Sequence, residues 1–263
     1  MVLILTVLPA EIISGWHRDI YRREDLLVTG GCFLLSQLVR PVVALLYATL
    51  FSIFLPVWRG ALADTPLWLA LPGVLLFSEF CFYWVHRLAH SPGRNNLLWG
   101  MHRTHHAARY LNVTVMARVN IFWPFVVPYA WTTGLSFYLC MHEAAAITLG
   151  ILLMWNAFTH SAFRWDDVLA KTGWGKKLLW LVELVFITPR LHHTHHGWGR
   201  DGKTYRNFAT VISLFDRLFG TLYVPGGRPA RYGLPGSDWH WLQQIFFPLC
   251  YRPHDRVYVA GKK

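Results

Sequence analysis

Acidic residues are scarce in this sequence: 14 Asp and Glu stand against 25 Lys and Arg, and charged residues make up only 15% of its 263 positions. A soluble domain carries nearer a quarter, so the shortage argues against a surface that lies wholly in water. No long polar stretch separates the apolar runs, which leaves no material for a second, water-facing core, and residues 1–263 read as one membrane-embedded unit. Cysteine is equally sparse. Cys32, Cys81, Cys140 and Cys250 are far apart and form no C-x-x-C pair, which excludes a sequence-evident disulfide framework or thiolate metal site. Three of them sit in apolar segments and read as small buried hydrophobes. There is no internal repeat and no low-complexity tract. The opening MVLILTVLPAEIISG lacks a basic start and contains Pro9 and Glu11. It therefore reads neither as a cleaved signal peptide nor as a full span, and an interfacial or re-entrant helix is expected.

What is abundant is apolar length: 54% of residues are hydrophobic and the mean hydropathy is +0.30. A membrane helix needs about 20 mostly apolar residues, and four segments qualify, at roughly 31–57, 66–85, 121–140 and 143–160. Short loops at 58–65 and 141–143 pair them as hairpins. A net charge of +11 on a soluble chain would raise nucleic acid as a partner. Here the basic residues sit beside apolar spans, which points to anionic headgroups instead and away from nucleic acid. The two hairpin loops hold a single Arg between them. The other side holds Arg18, Arg22 and Arg23, then Arg87, Arg94, Arg103, Arg109 and Arg118, and most of the remaining basic residues. The positive-inside rule makes that side cytoplasmic. The 14 Trp and 11 Tyr crowd the span ends, as interfacial belts do. Beyond residue 160, WGKKLLWLVELVFITP suggests an amphipathic surface helix, and the spacing in NFATVISLFDRLFG predicts another packed helix. The fold class expected is all-α, with about four transmembrane helices and a helical cap.

Of 14 histidines, nine fall in two short windows: His86, His90, His102, His105 and His106, then His192, His193, His195 and His196. His86 and His90 are one helical turn apart, so both imidazoles share one face. His102-Arg-Thr-His105-His106 and His192-His-Thr-His195-His196 each offer i, i+3 and i+4 positions. All three motifs lie on the expected cytoplasmic side, and His160 emerges there at the end of the fourth span. His142 lies in the opposite loop and is excluded as a ligand. Neutral imidazole suits Zn, Cu, Fe and Ni. Eight motif histidines plus His160 exceed what one ion uses, so counting implies two metals. Structural zinc would need only four ligands, usually with Cys. The soluble Glu-x-x-His di-iron pattern is absent, since none of the five Glu residues has a His three positions later.

The segments FYWVHRLAH, WGMHRTHH and TPRLHHTHH, followed by NFATVISLFDRLFGTLYVP, resemble the fatty acid hydroxylase/sterol desaturase superfamily of membrane di-iron oxygenases over about residues 70–225. Ala209 and Phe215 depart from the family's usual Gly and Trp, and Glu79 stands where Asp is common. The resemblance implies four transmembrane helices under a cytosolic cap, in a bacterial inner membrane or the endoplasmic reticulum. It implies two iron ions held by His86, His90, His102, His105, His106, His192, His195 and His196, with His160 at a position that often adds a ligand. It also implies dioxygen as co-substrate, a lipid entering from the bilayer, and electrons from cytochrome b5, a ferredoxin or a reductase. Hydroxylation of an unactivated C–H bond is the leading expectation. Desaturation at the same site, a non-catalytic metal-binding membrane protein, and a lipid transporter or scaffold are the alternatives.

Around the ligands, Glu79, two turns before His86, is expected to support an imidazole N–H, because an acid within a span needs a partner. Asn207 and Asp216 are candidates for similar support, Asp216 also for pairing with Arg217 or another Arg. His193 is redundant to the ligand spacing and is expected beside the metals rather than on them. Arg87 and Arg103 lie inside the motifs and are candidates for pairing with a carboxylate. His17, His142, His240 and His254 stand alone and read as structural. The aromatic residues between 121 and 165 read mainly as packing and interface anchors.

Overall fold

The computed structural model describes residues 2–92, 96–236 and 239–250, the side chains from residue 6 onward; Arg94 and His254 lie outside them. The N-terminal segment is a helix, α1 (Val2–Ile13). Glu11 near its end is buried, accepts the backbone N–H groups of Val113 and Ala162, and pairs with His17. A buried carboxylate so satisfied ties the start of the chain to residues more than a hundred positions away.

The first expected span is α2 (Arg23–Phe54), and the second is α3 (Leu67–Ala89), joined through a 3-10 turn at Pro56–Trp58. Glu24 and Asp25 in the first turn of α2 complement the helix dipole, and Asp25 accepts the Arg22 backbone N–H. Both helices are long and apolar enough to cross a membrane. A soluble core helix would bury its apolar face, yet only 11% of the most apolar window of α2 is buried. Leu34, Leu38, Val42, Leu45 and Phe54 instead point outward. That exposure marks a membrane protein.

Next comes α4 (Leu97–His106), capped by Asn96, whose Oδ1 accepts the Trp99 N–H. The same side chain donates from Nδ2 to the carbonyls of Leu88, Ala89 and Ser91. One amide thus knots the end of α3 to the start of α4 and sets the first two histidine motifs against each other. After a 3-10 turn at Val113–Ala117 the third expected span is broken. It forms α5 (Trp123–Val126) and α6 (Pro128–Tyr138). Pro124 and Pro128 stand at helix starts, and Val127 before the second proline is extended, as the clash with a following proline ring demands. At 11 residues α6 is only about 16 Å long. It packs tightly on α2 because Gly134 has no side chain; a Cβ there would lie 2.6 Å from the Ala44 carbonyl oxygen.

The fourth expected span is one helix, α7 (His142–His160). Then follow α8 (Trp165–Leu169), α9 (Gly173–Glu183), α10 (Pro189–His196), α11 (Leu214–Leu218) and α12 (Trp241–Phe246). A two-residue antiparallel pair, β1 (Gly197–Trp198) with β2 (Arg231–Tyr232), is the sheet found among the described residues. The class is all-α. The expected amphipathic helix is α9, with Trp174, Leu178, Trp180 and Leu181 exposed.

The helix expected across 207–220 is not formed as such: only Leu214–Leu218 is helical. Asp216 accepts the N–H groups of Phe208 and Ala209 at 2.8 and 2.9 Å. Glu79 accepts those of Val211 and Ile212 at 2.7 and 3.0 Å. Two buried carboxylates take the donors that helical bonds would have used, and Asn207 opens the stretch with a left-handed φ of 56°. Asp216→Ala therefore strands two buried N–H groups and is expected to cost about 3 kcal/mol or more. The check is thermal unfolding in detergent, with exposed Asp64→Ala as a control that leaves Tm unchanged.

Candidate metal centre

Four helix segments converge at one end of α3. His86 lies in its last turn and His90 caps it; α4 contributes His102, His105 and His106; α7 ends on His160; α10 contributes His192, His195 and His196. The start of α10 is fixed by acids. Asp166 accepts the Arg190 N–H, and Glu183 receives the Thr188 hydroxyl and the Arg190 guanidinium. Arg228 closes this knot through Asp166 and Asp167.

The nine histidines divide into two groups. His86, His90, His102, His106 and His195 each bring a ring nitrogen within 4.8 Å of the others, and so do His105, His160, His192 and His196. The groups abut, with the rings of His106 and His196 stacked at 4.4 Å. Nitrogens meet tip to tip. His86 Nε2 lies 2.9 Å and His106 Nε2 3.1 Å from His102 Nε2; His160 Nε2 lies 3.2 Å from His105 Nε2 and 3.0 Å from His192 Nε2. For metal–nitrogen bonds of about 2.1 Å, adjacent ligands of an octahedral ion sit roughly 3.0 Å apart, which matches these separations. Nε2 of His90, His195 and His196 is buried with no hydrogen-bond partner among the described residues. Such orphaned acceptors fit a cation-binding role.

Three of the outward nitrogens are held by the backbone. His86 Nδ1 donates to the Phe208 carbonyl, His160 Nδ1 to Asn156 at 2.8 Å, and His195 Nδ1 to Arg206 at 2.8 Å. Each bond fixes the tautomer that turns the Nε2 lone pair inward. Burial, reinforced by neighbouring imidazoles, pushes His102, His105, His106, His192 and His196 well below the usual imidazole value. His195 is depressed by the same burial. Neutral imidazole is the form that binds a metal.

The residues expected to support the ligands act mostly at one remove. Glu79 touches no imidazole among the described residues; it bonds the Tyr129 hydroxyl and the 211–212 backbone. Its span position called for a partner, and the loop and Tyr129 supply it. Asp216 forms no ion pair with Arg217; it holds Phe208, whose carbonyl orients His86. Asn207 clamps the Leu191 and Tyr223 carbonyls next to Arg206, the acceptor for His195. His193 uses both nitrogens, on the Tyr232 hydroxyl and the Ser161 carbonyl, and points away from both groups. Arg87 meets the Tyr83 hydroxyl and the Phe219 carbonyl rather than a carboxylate, and Arg103 lies 4.1 Å over Trp239. His142 begins α7, eighteen residues and about 27 Å from His160. His17 and His240 stand outside both groups.

Three carbonyls (Asn156, Arg206 and Phe208) and the side chains of Trp123, Tyr129 and Tyr232 are functional neighbours that the sequence reading missed. Carbonyls have no residue signature. Trp123 and Tyr129 were hidden among aromatic residues read as packing, although the Trp123 ring lies tilted against His102 with centroids 4.7 Å apart. A cavity of about 630 Å3 lies against the centre. His86, His102, His105 and His192 form part of its wall, and Phe82, Trp123, Leu152 and the Ala44–Ala48 face of α2 form much of the rest. Its size suits a lipid-sized ligand.

The family model described as fatty acid hydroxylase matches residues 71–221, the stretch that carries all nine histidines. Alkylglycerol monooxygenase of Danio rerio is 29% identical over 195 residues, covering 70% of this chain and 37% of its own length. The Caenorhabditis elegans protein of the same name is 28% identical over 258 residues, covering 92% of this chain and 45% of its own length. Ornithine lipid hydroxylase OlsE of Rhizobium tropici is 28% identical over 200 residues, covering 72% of this chain and 52% of its own. The chain spans about half the length, or less, of these curated relatives. No solved structure matches the chain.

The two groups predict distinct losses. His102→Gln and His192→Gln each lower the metal content by about one ion per chain, whereas His193→Gln retains it, as measured by elemental analysis of purified protein. A second expectation concerns pH. Histidines whose folded pKa lies below the unfolded value of 6.5 bind protons preferentially when unfolded. Their contribution is complete above about pH 6.5 and is lost as the pH falls toward the depressed folded values. Metal-free protein should lose Tm steeply below about pH 6, and bound metal should move that loss to lower pH.

Proposed function

The chain belongs to the fatty acid hydroxylase family, and on that premise we propose that it is a membrane-bound di-iron monooxygenase that hydroxylates an unactivated C–H bond of a lipid. The observation that carries this reading is the position of the two histidine groups on the wall of a largely apolar cavity, on a chain with two helices long and apolar enough to cross a membrane. The names of the relatives, alkylglycerol monooxygenase and ornithine lipid hydroxylase, favour hydroxylation over desaturation.

In this reading α2, α3, α6 and α7 form the membrane part, and α4 with α8 to α12 form a cap. The cap faces the cytoplasm, where the positive-inside rule puts the arginine-rich side. His86, His90, His102, His106 and His195 would hold one iron, and His105, His160, His192 and His196 the other. A bound iron pair supplies reductive activation of dioxygen, the chemistry that an unactivated C–H bond requires.

The protein's own part is placement. The Phe208, Arg206 and Asn156 carbonyls keep three imidazoles aimed inward, and burial keeps the ligands unprotonated. The apolar walls exclude water and hold a lipid carbon against the histidine face. Overall the reaction takes a C–H bond, O2, two electrons and two protons to an alcohol and water. The electrons come from an external donor such as cytochrome b5, a ferredoxin or a reductase.

Lipid extracts of cells expressing the chain under 18O2 provide the test. One 18O atom gained by a lipid, and lost with His105→Ala, is the expected result. Loss of two hydrogens without 18O would mean desaturation. Tightly held zinc with no oxidised lipid after iron reconstitution would leave a non-catalytic metal protein.

A further inference from the structure

The cavity wall carries a cation that the histidine centre does not use. Arg40 lies in α2, within a membrane-crossing helix, and lines the cavity with Gln37 one turn before it. Among the described residues it forms no hydrogen bond and no ion pair. Arg118, the other arginine on this wall, is fully committed: it pairs with Asp25 at 2.9 Å and donates to the Gln244 side chain and the Thr104 carbonyl. Maintaining an arginine within a membrane span is costly, and such residues normally have a partner.

Its depth can be read from the packing. Ser78 of α3 bonds Thr132 of α6 at 3.0 Å, and Gly134 of α6 sits on Ala44 of α2. Gly134 lies two residues, about 3 Å, beyond Thr132, and α2 and α6 run in the same sense, so Ala44 lies about 3 Å past the level of Ser78. Eight residues carry α3 from Ser78 to His86, about 12 Å, whereas four residues carry α2 from Ala44 back to Arg40, about 6 Å. The two helices run in opposite senses, so Arg40 lies about 9 Å further into the apolar layer than His86. A cation at that depth, facing a cavity and lacking an internal anion, is placed to meet an anion that arrives with the ligand.

We propose that Arg40 is a specificity-determining residue that binds the oxyanion headgroup, carboxylate or phosphate, of the lipid held in this cavity. The idea rests on the lipid-oxidising reading above and narrows its substrate class from lipids in general to lipids with an anionic group beside the acyl or alkyl chain. Gln37, three residues earlier on the same face, is placed to add a neutral donor. A charge-assisted hydrogen bond in an apolar site contributes enough for at least about a tenfold preference over a neutral headgroup.

The test is binding, read without turnover. Full-length protein in neutral detergent, as isolated with its metal, is titrated with palmitate, hexadecyl phosphate and hexadecanol, following ligand-induced thermal stabilisation. The wild type should bind at least one of the two anions about tenfold more tightly than the alcohol, and which anion is favoured identifies the headgroup. Arg40→Gln should abolish the preference, and Arg40→Lys should retain part of it. Gln37→Glu, which supplies a carboxylate to Arg40 in place, should also abolish it and serves if Arg40→Gln does not fold. Equal binding of all three ligands by the wild type, or an undiminished preference in Arg40→Gln or Gln37→Glu, would overturn the proposal. A preserved anion preference with no 18O incorporation would sink the oxygenase reading and leave this site standing. Incorporation of 18O into neutral lipids, unaffected by Arg40→Gln, would do the reverse.

Discussion

Neutrality of nine crowded imidazoles is the constraint on which the rest of this structure depends. Ring nitrogens 2.9 to 3.2 Å apart cannot all carry protons, because like charges at that distance in a buried site repel by several kcal/mol. The groups are therefore sunk among helix ends where burial favours the uncharged form. A neutral imidazole still has one N–H that must be satisfied when buried. For His86, His160 and His195 the acceptor is a main-chain carbonyl. A carboxylate acceptor would put a negative charge beside the rings and favour the protonated form, whereas a carbonyl fixes orientation without that penalty.

That choice explains the irregular chain from Arg206 to Ser213. A helix there would commit its carbonyls to its own ladder. Instead Asp216 and Glu79 take the backbone N–H groups of four residues, and Asn207 turns the chain with a left-handed φ. The Phe208 and Arg206 carbonyls are left free to face His86 and His195. Asp216 stays one peptide unit away from His86, and Glu79 touches no imidazole among the described residues. The charge needed to hold the loop and the neutrality needed at the imidazoles are kept apart by the backbone between them.

The histidine set was legible because its information is local. His86 and His90, or His102 with His105 and His106, declare a shared helix face by spacing alone, and the same arithmetic separates His142 from His160 along α7. The long apolar helices were legible from length and composition. Two local signals were outweighed: Pro124 and Pro128 stop the third apolar segment from forming one helix, and hydropathy counting is blind to that break. The 207–220 stretch failed for a different reason. Its periodicity is helical, but the partners that override it, Glu79 and Asp216, act through tertiary hydrogen bonds. Glu79 was recognised as a buried acid in need of a partner. That the partner is a loop 132 residues away, rather than a nearby imidazole, is not written in any spacing.

The apolar surroundings serve two ends at once. The environment that disfavours imidazolium also excludes water from the cavity beside it, and one wall of that cavity is α2, whose outer face is exposed along its apolar length. In the proposed function, a lipid chain entering from that side would stay in a medium like its own until it met the polar wall. A water-filled cleft would lose both properties together, since water would stabilise protonated histidine and compete for the centre. The histidines need not be shielded by a lid, because α3, α4, α7 and α10 bring them together in the interior from different directions. In the proposed function, selectivity falls to the polar groups on this wall, which is why a single arginine uncommitted among the described residues carries more chemical meaning there than the many on the surface.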